Sequence, residues 1–186
     1  DLSIAAFVIV NRSMQLLSMP LMGIAQGLQP ILGFSYGSRQ YDRALEVTRY
    51  SLVVASFFSA AAFLVFMLFP TVVMGAFTTD AALISEGVRA GRLTFLLFFL
   101  VGFQIVGSTV FQSLGMVART LVAQTSRQVL FLIPLVLILP RYWQTDGVWL
   151  AHAVADGLSF FLVLFMVAPL LRELKRRHVS GDRDGR

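Results

Sequence analysis

The sequence predicts an all-α membrane protein with five transmembrane helices, and three observations carry that expectation. Hydrophobic residues make up 57% of the 186 and charged residues 13%, too few charges to cover a water-facing surface, where soluble domains use about a quarter. The mean hydropathy is +0.78, and several apolar runs approach the ~20 residues that cross ~30 Å of hydrocarbon. These runs are continuous, unlike the ~10-residue alternating segments of a barrel strand. The net charge of +5 does not mark a nucleic-acid face, because the basic residues lie between apolar runs and in the tail, where topology signals belong.

Span one covers residues 4–36 and is expected to be interrupted at Pro20 and Pro30; neighbours or water can satisfy carbonyls freed by such prolines. Its Asn11, Gln15, Ser18, Met22, Gln26, Gln29, Gly33 and Tyr36 recur at steps of three and four, so they share one helical stripe. Amides facing lipid would lack partners, so this face must meet protein or water. Either it glues helices together, or it lines a water-filled pathway, and the length of the stripe favours the pathway. Gly23 with Gly27, and Gly33 with Gly37, have the small-xxx-small spacing that permits close helix contact.

Span two covers 47–69 and stops at Pro70; Ser51, Ala55, Ser59 and Ala62 form a small-residue packing seam along it. Span three covers 93–115, with Gln104, Ser108 and Gln112 on one face beside Gly107 and Gly115; packing and cavity lining both fit. Span four, 118–139, contains Pro134 and ends at Pro140.

Span five, 147–171, holds the one carboxylate deep in an apolar run, Asp156, four residues after His152 and three before Ser159. A charged Asp at mid-bilayer costs about 2.5–3.5 kcal/mol on insertion scales, so it must be neutralised or paired. A structural hydrogen-bond acceptor and a proton-linked group are both open readings of Asp156. His152 reads as an interfacial side chain, and Tyr142, Trp143 and Trp149 as aromatics of the membrane interface. Residues 1–174 are thus expected to form the membrane unit and 175–186 a solvated cytoplasmic tail.

Orientation follows from the basic residues. Arg39, Arg43, Arg49, Arg119, Arg127 and the cations of 172–186 fall on one side, eleven of the fifteen, against Arg12, Arg89, Arg92 and Arg141 on the other. The excess puts the C-terminus in the cytoplasm and, with five spans, the N-terminus outside. No short apolar leader precedes span one, so the expectation is a piece of a larger protein with at least one earlier span.

There is no cysteine, hence no disulfide, thiolate metal site or cysteine catalysis. No P-loop, HExxH, GxSxG or dinucleotide fingerprint occurs. An enzyme is not expected, nor a cofactor or metal, and nothing points to ATP-driven pumping.

The stretch GIAQGLQPILGFSYGSRQYDRA, residues 23–44, resembles the eighth helix and following cytoplasmic loop of MATE (multidrug and toxic compound extrusion) transporters. It is similar to the bacterial branch, where GxxQGxQPxxGFNYGA precedes a Tyr-Asp-Arg loop. FQSLG, then TSRQVLFLIPLVLILP, then DGVWLAHAVAD resemble the tenth, eleventh and twelfth helices, in the right order along nearly the whole chain. The resemblance implies twelve helices in two six-helix lobes around a central cavity. This chain would form helices eight to twelve, most of the C-terminal lobe, with the N-terminal lobe as its partner. It also implies a multi-pass protein of the bacterial inner membrane that exports cationic, amphipathic drugs in exchange for protons or sodium ions.

On that basis Asn11, Gln15, Met22, Gln26, Gln29, Gln104, Ser108 and Gln112 are candidate cavity residues, and Asp156 a candidate proton-linked residue. The sequence departs from the family pattern at Ser35, where the motif has Asn, and at Ala153, where many relatives have Pro. Span three offers Gln104 where some branches carry a cation-coupling carboxylate; the alternative, an Asp of the first helix, would lie outside this chain. A flippase for lipid-linked saccharides, of the same superfamily, and a non-transporting membrane scaffold are the competing expectations. The flippase should have a more cationic cavity than these amides supply, and a scaffold has no need of an amide stripe.

Overall fold

The structure, a computed structural model, describes the backbone of residues 2–184 and the side chains of 4–143 and 146–176. Helix α1 runs over Leu2–Gly37 and α2 over Tyr41–Leu68; α3, Pro70–Gly75, and α4, Ala81–Thr94, follow. A 3₁₀ turn, Phe98–Leu100, leads into α5, Val101–Ser113. Then come α6, Val117–Thr125, a π turn, Ser126–Leu132, α7, Ile133–Ile138, and α8, Pro140–Asp184. No strand occurs among the described residues.

Among the described residues, four stretches are long and apolar enough to cross a membrane: Ile4–Gly37, Tyr41–Leu68, Val117–Trp143 and Asp146–Arg176. The fifth is a broken pair, Ala81–Thr94 with Phe98–Ser113, bent by 50°. Taken as one span, this pair makes span three start at Ala81 and not near residue 93. Glu86, Arg89 and Arg92 dilute the hydropathy of α4, yet its other face is buried, through Gly87, Ala90, Gly91 and Thr94. Gly87 and Gly91 leave room for Met74 and Phe66. Asp80 caps α4, its Oδ1 accepting from the Ala82 N–H at 2.8 Å, a role that suits Asp before a first turn.

The break itself is packed with aromatics. Phe95 stacks on Phe66 with centroids 4.2 Å apart, and Phe95 and Phe98 are fully buried. A break frees carbonyls that lipid cannot satisfy; the Ser59 hydroxyl on α2 donates to one of them, Phe99 O, at 2.8 Å. The seam read on α2 is all buried, from Ser51 through Ala55 and Ser59 to Ala62, and it receives Gly102 of α5 at backbone contact.

Helix α1 packs on α2, α4 and α5. It is continuous through Pro20 and Pro30, both on its exposed side, so the expected interruptions are absent. The close contact suggested by the Gly23 and Gly27 spacing is not made: a Cβ at either position would have nothing within 4 Å. Trp149, expected at the interface, is buried at 2% exposure, whereas Tyr142 and Trp143 are open. Arg39 (φ 61°) ends α1 and Gly115 (φ 69°) ends α5. In each case the following N–H reaches back five residues, Gln40 to Ser35 O at 2.9 Å and Met116 to Phe111 O at 3.0 Å, which closes the helix on its orphan carbonyls. Helix α8 continues past Leu174 as far as Asp184.

Candidate functional site

Part of the polar stripe of α1 lines a cavity that it shares with the π turn and α8. Asn11, Met14, Gln15, Ser18 and Met22 form one wall, brought into line by helical spacing. Arg127, Gln128 and Leu132 of the π turn form the second wall, and His152 and Ala155 of α8 the third. The cavity holds about 260 Å³, slightly below the ~300–1,000 Å³ of pockets that enclose a drug-sized molecule. It can seat a functional group, with the rest of a larger solute outside it.

The polar groups are partly committed. The Asn11 amide donates to Phe7 O at 3.1 Å and the Ser18 hydroxyl to Met14 O at 2.7 Å. His152 has Nδ1 3.1 Å from Val148 O and meets the Phe7 ring edge-on, centroids 5.4 Å apart. With the proton on Nδ1, that nitrogen donates and Nε2 stays an acceptor.

Behind the cavity wall lies an ion pair. Arg127 Nε is 2.5 Å from Asp156 Oδ1; the arginine side chain is 34% exposed and the aspartate 0%. Apart from Arg127, neither carboxylate oxygen has a hydrogen-bond partner among the described residues. Asp156 is thus paired, as burial requires. Its partner is a residue that reads in sequence as a flanking topology charge. Arg127 lies ten residues into span four and does not count among the flanks. The π turn that carries Arg127 precedes Pro134, which has no N–H for Leu130 O and crowds that carbonyl. Wide turns of this kind recur at functional sites.

Of the candidate cavity residues, the structure brings together Asn11, Gln15 and Met22, with Asp156 behind the wall. Gln26 is exposed and Gln29 half-buried further along α1, outside this cavity. Gln104 is buried in the helix packing with its Oε1 unpartnered, and Ser108 is buried beside it in sequence. Ser108 donates to Ile105 O at 2.9 Å. Gln112, at the end of α5, accepts from Gln124 Nε2 at 3.1 Å. Helical spacing alone does not single out Arg127, Gln128 and Met14 as cavity residues. The available signal is a lone arginine inside an apolar run, flanked by Ser126 and Gln128.

The MatE family model matches residues 1–138. The chain belongs to the MATE family. Among solved structures, the MATE multidrug transporter DinF-BH, determined as a complex, is 44% identical, with a TM-score of 0.80 over 88% of this chain and 36% of that one. A MATE in complex with MaL6 is 21% identical, with a TM-score of 0.85 over 93% and 40%. An outward-facing multidrug resistance MATE transporter of the MOP superfamily is 21% identical, with a TM-score of 0.84 over 93% and 39%. The last two likenesses concern the fold. No curated protein sequence matches. The chain spans about 36–40% of the length of these MATE structures, and its broken third span and packed α1 are elements of one MATE lobe.

Proposed function

We propose that this chain supplies the C-terminal lobe of a secondary transporter that exports amphipathic organic compounds, cationic drugs among them, in exchange for protons or sodium ions. Residues 1–174 form the lobe and 175–186 a cytoplasmic tail; the N-terminal lobe completes the cavity. The protein acts in the bacterial inner membrane and is not an enzyme. One observation carries the reading: a polar cavity at mid-span, walled by α1, the π turn and α8. Packing alone gives no reason to keep amides beside an open space at that depth. The 44% identical MATE structure is that of a multidrug transporter, which supports a drug-sized solute. Gln26 and Gln29 extend the same stripe; Gln112 is exposed at the end of α5, and Gln104 and Ser108 are proposed as second-helix contributions exposed in other states of the cycle. Arg127 in the cavity lining also favours a second reading, a flippase for lipid-linked saccharides, whose cargo is anionic.

Gln15→Leu and Gln26→Leu in the intact transporter should leave abundance unchanged, since leucine favours the bilayer. Export should fall unequally among chemically distinct drugs, by a few-fold, in keeping with interhelical hydrogen bonds of ~0.6 kcal/mol. Resistance to several cations, measured alongside protein level, decides the matter: a uniform loss that tracks abundance would make both residues packing groups.

The topology is tested separately. Cysteines placed at Thr79 and Gln144 should react with a membrane-impermeant thiol reagent in intact cells, and one at Ser180 should not. The reverse pattern would invert the orientation. The side chains of Gln144 and Ser180 lie outside the described residues, so both sites are chosen from the charge pattern of the sequence.

A further inference from the structure

We propose that the Arg127 side of the cavity binds a singly charged acidic group, a carboxylate or sulfonate, of the transported amphiphile. This deepens the transporter reading and rests on it. The two charges of the mid-span pair are not equally placed. Asp156 is sealed at 0% exposure, while the Arg127 side chain is 34% exposed and is part of the cavity lining. The solute therefore meets the cation and not the anion. Asp156 engages Arg127 through Nε, and the described residues give the guanidinium no second partner.

With Asp156 at its Nε edge, the guanidinium keeps its terminal amino groups for another partner, and their planar fork suits a carboxylate or sulfonate. Gln15 and Gln128, on opposite walls, add neutral amide donors. Among the described residues this chain brings no carboxylate to the cavity lining, so a cationic group beside Arg127 would meet a like charge. One exposed guanidinium, partly balanced by Asp156, favours one negative charge rather than two. The small volume fits the acidic group alone, with the apolar body of the solute resting beyond it.

A matched pair of dyes isolates this contact: a xanthene dye with a free carboxylate, and its ethyl ester, which keeps the same aromatic body and cationic amine. Both are titrated by fluorescence anisotropy onto the intact transporter in nanodiscs, with empty nanodiscs subtracted. The acid should bind about tenfold more tightly than the ester, the scale of one charge-assisted hydrogen bond. In R127Q/D156N, which removes both charges and leaves no unpaired ion, the ratio should fall to one while the ester still binds. D156N alone, which frees Arg127, should keep or raise the ratio, a result that a purely structural pair would not give. Equal binding of acid and ester, or an unchanged ratio in R127Q/D156N, would overturn the proposal and leave the transporter reading standing. Failure to bind or export either dye would overturn both.

Discussion

Arg127→Leu should destabilise the lobe by about 3 kcal/mol, the lower end of what removing one partner of a buried ion pair costs. The lower end applies because the arginine is partly open and screened, whereas Asp156 is sealed. The leucine leaves a carboxylate with no counter-charge and no hydrogen bond among the described residues. Asp156→Asn should cost less, about 1 kcal/mol, since Arg127 can still turn to the cavity and a neutral amide replaces the charge. The double variant Arg127→Leu with Asp156→Asn should be more stable than Arg127→Leu alone. Their coupling, read by thermal unfolding of the purified transporter, should fall in the ~0.5–3 kcal/mol range of contacting residues. Additive effects would show that the two charges do not depend on each other.

The second large effect is expected at the crossing of α2 and α5. A Cβ on Gly102 would sit 2.2 Å from Ala55 O and 2.6 Å from both Ala55 C and the Ser59 hydroxyl. Two of those atoms are backbone, which cannot rotate away. Gly102→Ala must push the helices apart, at about 1–3 kcal/mol for overpacking, and it disturbs the Ser59 hydroxyl that serves Phe99 O. Gly102→Val should prevent accumulation of folded protein. Gly23→Ala is the matched control, because its Cβ meets nothing within 4 Å and alanine favours the helix by ~0.5–1 kcal/mol. Equal melting temperatures for Gly102→Ala and Gly23→Ala would mean that the crossing can spread at no cost.

Spans one, two and four are legible in the sequence because long apolar runs dominate their local average. The α2 seam is legible because four small residues at helical spacing have few other uses. Span three is half hidden: α4 carries Glu86, Arg89 and Arg92 on an outer face, and a hydropathy average cannot separate that face from the glycines behind it. Arg89 pairs with Asp146 across to α8, a contact 57 residues apart that no local pattern announces. The α1 wall of the cavity follows from the helical period, Asn11 to Gln15 to Ser18. Its opposite wall does not, because a period of 3.6 loses phase inside a π turn, and the direction in which Arg127 points depends on that turn. The pairing of Arg127 with Asp156 likewise needs two spans in register, which is a property of the packing and not of either run. Gly23 and Gly27 show the converse error, a contact spacing with no contact inside this lobe.

The π turn at Ser126–Leu132 has one more consequence, for the length of span four. A wide turn accommodates an extra residue over nearly the same rise, so the segment carries slack that a regular helix lacks. Deleting one residue from a regular span shifts all that follows by about 1.5 Å and rotates it by about 100°, which would turn a buried face toward lipid. Within 128–131 the same deletion converts the wide turn into an ordinary one, and the helices on either side keep their faces. Span four is therefore where this lobe can lose a single residue without repacking, and the residue lost is the one that lets Arg127 look inward.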